Sequence, residues 1–479
     1  MRLVTFTLCA LVAACSGKDT GGVAPDADTD TDTDADADTD TDTDTDADTD
    51  SDTGPTNQAP PPVAAVTAAL AGDELGTSLA SPGDVDGDGR SELLIGASGV
   101  RSGAGAAYLI HGPIPTGTAT SDVTLDGDEP GDGAGAFVHA GADVTGDGVV
   151  DLAIGAFLDN GASGAAYIVS GAVTTDTPLL AADAVILGAM SSDYLGHTLA
   201  LAPDLTGDGA GDVLLSAYGD DTQGSAAGAA LVVAGPVGGS GVVVPSARLL
   251  GTAAGSWCGY AVAAGDLNGD GTSDAVVSAP REDLPSGDAA GVVVVAHGPL
   301  TGDMTLLDAA DARWEGAAQD DELGQALVTG ADSDGDGTHD LLIGATEASG
   351  GGVVHLVLGG GATGVLEDDG GAHATFTSAV HSGLGRAMDF ADIDGDGSPD
   401  VLIGAPGGES ADGAAFAVYG PISGVIDLDT QADWHFVAPI TGGNFGASVT
   451  GAGDTTDNGR DELAVGAPLG DTVYLFSLE

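Results

Sequence analysis

Seven nine-residue segments place oxygen-bearing side chains at the same four positions and could therefore hold metal ions. The first reads DVDGDGRSE and begins at Asp84. The others begin at Asp143, Asp204, Asp266, Asp332, Asp392 and Asp454. In each segment the oxygen ligands stand at positions 1, 3, 5 and 9, and a glycine at position 6 lets the backbone double back. Several charged oxygen ligands on a flexible loop favour calcium over magnesium, which prefers a rigid octahedron and keeps its water.

Each segment has a fifth candidate ligand, because the residue at position 7 can offer its main-chain carbonyl. In chain order the candidate calcium ligands are Asp84, Asp86, Asp88, Arg90, Glu92, Asp143, Thr145, Asp147, Val149, Asp151, Asp204, Thr206, Asp208, Ala210, Asp212, Asp266, Asn268, Asp270, Thr272, Asp274, Asp332, Asp334, Asp336, Thr338, Asp340, Asp392, Asp394, Asp396, Ser398, Asp400, Asp454, Thr456, Asn458, Arg460 and Glu462. We expect up to seven calcium sites. The seventh should be the weakest, since Thr456 and Asn458 replace carboxylates.

Two other interpretations of these segments are possible. An EF-hand also needs a glutamate at position 12 and flanking helices, but an aliphatic residue stands at position 12 in every segment, which excludes an EF-hand. Alternatively, aspartate and glycine could serve turn geometry alone. That alternative suits a single segment better than seven segments with the same ligand spacing.

The acidic segments recur every 59 to 66 residues, and each repeat predicts four short strands. The first strand follows a Leu-Gly or Phe-Gly pair or its equivalent, and it leads into the acidic segment. In the first repeat the other strands are ELLIGAS (92–98), AAYLIHG (106–112) and VTLDG (123–127). Apolar and β-branched runs bounded by glycine and proline are typical of strands.

The seventh repeat ends after its third strand, and a matching fourth strand stands at the other end of the array. The segment AALAG (68–72) precedes Leu75-Gly76 much as ARLLG (247–251) precedes Cys258-Gly259. The sequence therefore predicts an all-β, seven-bladed β-propeller of four-stranded blades, in which the N-terminal strand completes the last blade. Closing the ring removes open sheet edges. A linear β-solenoid is the alternative, and the borrowed strand disfavours it.

The order Phe-Gly, DxDGDGxxD, Gly-Ala-Pro resembles the FG-GAP repeats of the integrin α-chain N-terminal propeller and its bacterial relatives. The resemblance covers residues 63–479. It implies a seven-bladed propeller with structural calcium in loops at one rim and a ligand surface on the other face. In integrins only some blades hold calcium, whereas all seven segments here carry a version of the motif. The repeats identify no ligand-contact residues.

Composition restricts the possible partners. The chain has 75 acidic and 9 basic residues and a formal net charge of −66, which argues against nucleic acid and against a polybasic membrane surface. The apolar fraction of 42% is enough for a buried core, so disorder cannot describe the whole chain. We expect a monomeric propeller.

The N-terminal sequence predicts a targeting signal followed by a spacer. Residues 1–14 form a signal peptide whose apolar run is too short to span a bilayer. The run ends at Cys15 in a pattern that resembles the lipobox of bacterial lipoproteins, so Cys15 is the expected lipidation site. An ordinary secretory signal with a chance cysteine is the alternative. By resemblance to the sorting rule of Gram-negative bacteria, Ser16 favours the outer membrane. We expect a lipid-anchored protein of the bacterial cell envelope, at the outer membrane or cell surface, which contacts the membrane through its lipid only.

Residues 15–62 predict a disordered acidic tether ahead of the propeller at 63–479. From Asp26 to Asp52 every even position is aspartate, and no face of that segment is apolar. Like charges repel along it, so it should be extended. Beyond Cys15, the one cysteine outside the signal peptide is Cys258, so the mature chain can form no internal disulfide.

Catalytic signals are weak. The sequence has no HExxH, GxSxG or P-loop motif. Cys258 reads as a small buried hydrophobe. Some histidines could cluster between blades six and seven, although a solvent-facing role fits them better. These are His373, His381 and His435.

The three tryptophans could form a carbohydrate platform or could pack within and along strands. They are Trp257, Trp314 and Trp434. We expect a non-catalytic binding or adhesion module for an extracellular protein or glycan. The alternatives are a hydrolase or lyase with its site at the central funnel, and a structural envelope protein. An enzyme should show a convergent polar cluster at one funnel mouth, a binding module an exposed aromatic or apolar patch without such a cluster, and a structural protein neither.

Overall fold

A computed structural model describes residues 58–348, 351–360, 364–367, 372–408, 412–456 and 459–478. The signal peptide, Cys15 and nearly all of the acidic tether lie outside these residues, so the expectations about them stay predictions. Among the described residues no helix is long and apolar enough to cross a membrane.

The described chain is almost entirely β-structure. Its short helices are α1 (Val100–Gly103), α2 (Asp159–Ala162) and α3 (Leu428–Gln431), with 3-10 turns at Leu179–Ala181 and Pro468–Gly470. In chain order the strands are β1 (Ala64–Thr67), β2 (Leu75–Gly83), β3 (Glu92–Ala97), β4 (Ala106–Ile110), β5 (Gly117–Ala119), β6 (Val123–Asp126), β7 (Phe137–Ala140), β8 (Asp151–Ala156), β9 (Ala165–Ser170), β10 (Thr177–Pro178), β11 (Ala184–Leu187), β12 (Leu199–Ala202), β13 (Asp212–Ala217), β14 (Ala229–Val233), β15 (Gly239–Val242), β16 (Ala247–Leu250), β17 (Val262–Gly265), β18 (Asp274–Ala279), β19 (Val292–Ala296), β20 (Gly302–Thr305), β21 (Ala312–Glu315), β22 (Ala326–Ala331), β23 (Asp340–Ala345), β24 (Val353–Val357), β25 (Gly364–Glu367), β26 (Ala374–Thr377), β27 (His381–Ser382), β28 (Ala387–Ala391), β29 (Asp400–Ala405), β30 (Gly407–Gly408), β31 (Ala414–Val418), β32 (Gly424–Asp427), β33 (Trp434–Val437), β34 (Ser448–Gly451), β35 (Leu463–Ala467) and β36 (Thr472–Phe476).

Seven sheets form a closed ring, which confirms the seven-bladed propeller. The first strand of each blade contacts the first strands of its two neighbours, in the order β2, β7, β12, β17, β22, β28 and β34. The last of these, β34, contacts β2 and so completes the circle. Within each blade, strands one to four pair antiparallel in sequence order; in blade 1 these are β2, β3, β4 and β6.

The N-terminal strand closes the ring as predicted, but four residues earlier than its predicted position. Strand β1 pairs antiparallel with β36, with Ala64 opposite Leu475 and Thr67 opposite Thr472. The connection from a fourth strand to the next first strand needs about seven residues, so 68–74 form that turn. The carboxylate of Asp471 accepts hydrogen bonds from the main-chain N–H groups of Gly72 and Glu74, each at 2.7 Å.

Six blades carry a fifth strand that the sequence did not predict. The segment between the third and fourth strands of one blade crosses to the previous blade and pairs parallel with its fourth strand; β20, for example, pairs with β16. In blade 6, Gln58 takes the equivalent place through a parallel bridge to His435. Such edge strands are short and exposed; β15 reads GSGV with all four residues exposed. They therefore lack the apolar alternation from which strands are recognised.

The core lies in the second strands and between blades. All six residues of β3, β8, β13, β18, β23 and β29 are buried. Neighbouring blades approach so closely that a Cβ at Gly96 would lie 2.0 Å from the carbonyl oxygen of Gly135. The same holds for Gly404 and Gly446 at 2.2 Å. The glycines of the repeat are therefore required where adjacent blades converge.

Candidate metal loops and an aromatic arc on opposite rims

The seven acidic segments lie on one rim of the ring, which we call the metal rim. Each segment connects the first strand of a blade to its second strand; Asp84 follows β2, and Glu92 is the first residue of β3. The Leu-Gly or Phe-Gly pairs lie at the other end of the first strands, and the Gly-Ala-Pro ends of the second strands lie beside them. Those ends form the opposite rim.

Side chains of the loops organise the loop backbone. In the first loop, Asp84 accepts hydrogen bonds from the N–H groups of Gly87 at 2.7 Å and Gly89 at 2.9 Å. Asp88 accepts one from the N–H of Arg90 at 2.9 Å. The bond from position 7 to the carboxylate at position 5 recurs in six loops, with the donors Arg90, Val149, Ala210, Thr272, Thr338 and Ser398.

Four loops bring at least three carboxylates together. In each, one oxygen from every carboxylate lies within 4.8 Å of the others. The sets are Asp84, Asp86, Asp88 and Glu92; Asp143, Asp147 and Asp151; Asp332, Asp334 and Asp336; and Asp392, Asp394 and Asp400. These are the first, second, fifth and sixth loops. Three of the four have aspartate at position 3.

The third and fourth loops, within the described residues, do not bring three carboxylates to that spacing. Position 3 is Thr206 in one and Asn268 in the other, and the Asn268 amide donates to Asp274 at 3.4 Å. In the seventh loop, Asn458 lies outside the described residues, and Thr456 donates its hydroxyl proton to Glu462 at 2.8 Å. Calcium ligation at these loops stays a prediction from the sequence.

The carboxylate at position 9 is buried and fastens the loop to the rest of the blade. Asp212, for example, accepts hydrogen bonds from the N–H groups of Leu205 at 2.7 Å and Gly235 at 2.9 Å. Burial raises the pKa of Asp151, and likewise that of Asp400, to about 6. Asp340 makes the same connection in the fifth loop and lies outside that loop's set of three.

These loops fit a hard divalent cation. Several carboxylates lie close together on each of four loops, and like charges at that spacing repel unless a cation or protons offset them. In the sixth loop, Oδ1 of Asp392 is buried and has no hydrogen-bond partner among the described residues. All donors are oxygens, which suits calcium.

Aromatic side chains gather on the opposite rim in a cluster that we call the aromatic arc. It consists of Phe157, Tyr194, His197, Tyr218, Trp257 and Tyr260. Phe157 and Tyr218 directly follow second strands. Tyr194 and Trp257 directly precede the residue pairs that begin first strands. All six side chains are half-buried.

The arc is a continuous row of ring contacts across blades two to four. Phe157 and Tyr194 have ring centroids 6.4 Å apart, and Tyr194 stacks on Tyr218 at 4.9 Å. Tyr218 contacts Trp257 at 5.8 Å, and Trp257 stacks on Tyr260 at 5.8 Å.

The inner side and the end of the arc are polar. His197 lies among the rings of Phe157, Tyr218 and Tyr260, and burial among them lowers its pKa to about 4. At the far end the guanidinium of Arg281 lies 3.8 Å above the Trp257 ring and 3.3 Å from the Glu322 carboxylate.

The polar tips of the arc are unpartnered. The hydroxyls of Tyr194, Tyr218 and Tyr260, and Nε1 of Trp257, make no hydrogen bond with the part of the chain that the structure describes. None of these atoms is among the buried unsatisfied ones, so each keeps some contact with solvent. By contrast, the Tyr167 hydroxyl donates to Asp159 at 3.0 Å.

Two of the three tryptophans play other roles. Trp314 is 3% exposed in the core, and Trp434 is half-buried and donates its indole N–H to the Tyr419 hydroxyl. The structure therefore leaves only Trp257 on the opposite rim.

Two of the three clustered histidines meet. The rings of His381 and His435 are 5.2 Å apart, and burial lowers the pKa of both. His373 makes no ring contact with described residues. Cys258 is fully buried, and burial raises the pKa of its thiol, as a small core residue requires.

Comparison with known proteins supports the propeller fold and the repeats that build it. The FG-GAP repeat family model matches residues 75–110, 259–295 and 384–419. Integrin alpha-V of Gallus gallus is 28% identical over 237 residues, 46% of this chain and 21% of that protein. Phosphatidylinositol-glycan-specific phospholipase D of Homo sapiens is 32% identical over 226 residues, 44% and 26% of the two chains. Integrin alpha pat-2 of Caenorhabditis elegans is 31% identical over 230 residues, 44% and 18% of the two chains.

The matched region is thus about a quarter or less of the length of these relatives. The chain carries FG-GAP repeats homologous to the propeller regions of integrin α chains, as the motif order indicated.

Proposed function

We propose that this FG-GAP propeller is a calcium-stabilised, non-catalytic binding module displayed on a cell surface. The observation that carries the proposal is the contrast between its rims. One rim repeats a single acidic loop, and the other departs from the repeat to present the aromatic arc. Aromatic residues with an apolar body and a free polar tip are typical of recognition surfaces.

Calcium is the proposed ion of the metal rim. The four carboxylate sets described above would hold it, and the other three loops would contribute further sites. When bound, the ion supplies positive charge that offsets the clustered carboxylates. Buried residues such as Asp212 hold each loop on its blade, while Asp84 and its counterparts shape the turn. The ion's role is therefore structural, which leaves recognition to the opposite rim.

Binding fits the opposite rim better than catalysis. Among the described residues, the groups of three or more acidic, histidine or cysteine side chains with metal-ligand spacing all lie on the metal rim. The arc contributes one histidine, and its low pKa keeps it neutral at pH 7. A hydrolase is the second candidate, because one relative is a phospholipase D by name.

Display on a surface is proposed from the N-terminal sequence. Lipidation at Cys15 would anchor the chain, and the acidic tether would hold the propeller away from the membrane. The partner is then an extracellular protein or glycan within reach of the tether.

A screen of glycan arrays and surface-protein arrays with the full chain, in calcium and in EDTA, tests this function. We expect a ligand that is captured in calcium and lost in EDTA, and that Trp257→Ala abolishes. Turnover of an arrayed glycan or of a phosphodiester lipid would favour the hydrolase instead. A folded, calcium-loaded protein that captures nothing would contradict the binding role.

A further inference from the structure

We propose that calcium binds cooperatively to the third, fourth and fifth acidic loops, because main-chain hydrogen bonds from position 8 couple each loop to its neighbour. The proposal rests on the calcium sites of the function above and gives a positioning role to Ser273 and His339, which are not ligands. It follows from the bonds between loops, from the place of position 8 between two candidate ligands, and from a proline that interrupts the series.

Neighbouring loops are joined by a direct hydrogen bond. The N–H of Ser273, at position 8 of the fourth loop, donates at 2.7 Å to the carbonyl oxygen of Asp204, the first residue of the third loop. The N–H of His339 in the fifth loop donates in the same way to Asp266 of the fourth loop, at 2.9 Å. Asp204 and Asp266 are candidate ligands whose carboxylates also shape their own turns. Position 8 of one loop therefore holds the first ligand residue of the preceding loop.

The side chain at position 8 strengthens two of these junctions. Nδ1 of His339 accepts a hydrogen bond from the N–H of Asp266 at 3.2 Å, so His339 holds both main-chain polar groups of that ligand residue. Asp461 makes the same pair of contacts between the seventh and sixth loops. Its N–H donates to the carbonyl of Asp392 at 3.2 Å, and its carboxylate accepts from the Asp392 N–H at 3.3 Å.

A second path connects the buried carboxylates at position 9. Asp274 accepts a hydrogen bond from the N–H of Gly298 at 3.0 Å, and Leu300 donates to the carbonyl of Leu205 in the third loop at 2.8 Å. The Leu205 N–H in turn donates to Asp212, position 9 of that loop, at 2.7 Å. The same path links the fifth loop to the fourth through Asp340, Gly359, Gly360, Leu267 and Asp274.

Position 8 is placed to pass the effect of an ion from loop to loop. It lies between the position 7 carbonyl and the position 9 carboxylate, which are both candidate ligands. An ion in the fourth loop fixes both neighbours of Ser273, and with them the N–H that holds Asp204. Ordering a main chain is unfavourable, so a loop whose first residue is already held loses less entropy when it binds its own ion. Filling one loop should therefore raise the affinity of its neighbour.

The loops contain ligand atoms that a cation would satisfy. Oγ1 of Thr206, at position 3 of the third loop, is buried and has no hydrogen-bond partner among the described residues. Oε1 of Glu92 and Oδ1 of Asp392 are buried and unpartnered in the first and sixth loops. A buried oxygen without a partner is costly, and an oxygen-preferring cation such as calcium would offset that cost. The third loop thus fits an ion although it gathers fewer carboxylates than the fifth.

The series of bonds is interrupted between the fifth and sixth loops. Position 8 of the sixth loop is Pro399, which has no N–H to donate. Among the described residues, Val150 and Gly211 at the same position make no such bond, and the N–H of Ser91 lies 3.5 Å from the carbonyl of Asp454. Coupling should therefore be strongest from the fifth loop through the fourth to the third. Pro399 also shows that this loop accepts proline at position 8.

Calcium titration of the full chain, with native mass spectrometry to count the bound ions, tests the proposal. Ser273→Pro and His339→Pro each remove one coupling N–H. We expect each variant to weaken the binding of calcium at the two adjoining loops about fivefold, which is the contribution of one ordinary hydrogen bond. Val150→Pro, at position 8 of a loop without the bond, is the matched control and should leave every affinity unchanged.

A double-mutant cycle separates coupling from a general weakening. Asp270→Asn removes a ligand carboxylate of the fourth loop and should abolish its ion. In the unaltered chain we expect the same change to weaken the ions of the third and fifth loops about fivefold, because coupling between sites is reciprocal. In a chain that carries both Ser273→Pro and His339→Pro, Asp270→Asn should remove one ion and leave the affinity of the others unchanged.

The outcomes separate this proposal from the proposed function. Equal effects of Ser273→Pro and Val150→Pro, or the loss of one ion without weakening of the others in Asp270→Asn, overturn the coupling and leave the calcium-stabilised module standing. A chain that binds no calcium overturns both. Circular dichroism and melting in EDTA show that each variant is folded. If a proline variant does not fold, Asp270→Asn in the unaltered chain still decides.

Discussion

The two rims of the propeller use the same seven-fold repeat in opposite ways. On the metal rim every blade repeats an acidic loop in which the glycine N–H at position 6 donates to the aspartate at position 1. On the opposite rim one equivalent position, directly after the first-strand glycine, is different in almost every blade. Its residues are Thr77, Ala136, His197, Tyr260, Gln325, Arg386 and Ala447. Every blade needs the acidic loop, so the loop is repeated. A ligand would contact only a few blades, so the residues on the opposite rim can differ from blade to blade.

Removal of calcium by a chelator should produce the largest difference in stability between the metal rim and the opposite rim. We expect EDTA to lower the melting temperature by more than about 10 °C, because each filled site adds about 2.7 kcal/mol when calcium is at 100 times its dissociation constant. Differential scanning calorimetry in calcium and in EDTA measures the shift. The variant Trp257→Ala should show the same shift as the unaltered chain. An unchanged melting temperature in EDTA would show that calcium does not stabilise the metal rim.

Single loops should differ according to how many carboxylates they gather. Asp88→Asn alters the first loop, which collects four carboxylates, and it should cost about 2 kcal/mol in calcium and remove one bound ion. The matched change Asp208→Asn lies in the third loop, outside the sets of three, and should cost about half as much or less. Melting in calcium and ion counting by mass spectrometry measure both. Equal losses of stability would show that the number of carboxylates gathered in a loop does not predict how strongly that loop binds calcium.

The rims also differ in how far the sequence predicts them. The metal rim was predictable because its ligands lie within nine residues and recur seven times, so spacing alone locates Asp84 and its counterparts. The arc was not, because Phe157, Tyr194, Tyr218 and Trp257 are far apart in sequence and meet only when blades two to four stand side by side. Aligning the repeats would have shown two aromatic pairs at matching positions, but not that the pairs touch.

The fold shows the same division. Ring closure was predictable from the missing fourth strand, whereas the fifth strands were not, because they pair across blades and carry no apolar pattern. The position of β1 was predicted too late because AALAG (68–72) looks like a strand, while the length of the turn before Leu75 decides where the strand ends.

Acid should weaken the opposite rim through His197. Its pKa of about 4 lies below the ordinary value of 6.5, so the unfolded chain binds the proton more tightly. The contribution of neutral His197 to the free energy of unfolding is complete above pH 6.5 and is lost as the pH falls towards 4. After allowance for partial exposure we expect about 1–2 kcal/mol. His197→Phe, which keeps a ring there, should make the fall in melting temperature between pH 7 and pH 5 smaller than it is in the unaltered chain. Tyr194→Phe, which removes no group that titrates in that range, is the control and should keep the original slope.

The smallest expected effect on stability is also the sharpest test of the contrast between the rims. Trp257→Asn removes a ring from the arc and puts at this left-handed position a residue that tolerates it, as Asn444 does in blade 7. The relief of backbone strain offsets the lost contacts with Tyr260 and Arg281. The free energy of unfolding in calcium, taken from the melting curve, should therefore change by no more than about 1 kcal/mol. Capture of the ligand should nevertheless be lost. A large destabilisation would mean that the ring at this position serves the fold, and the opposite rim would then be structural, like the metal rim.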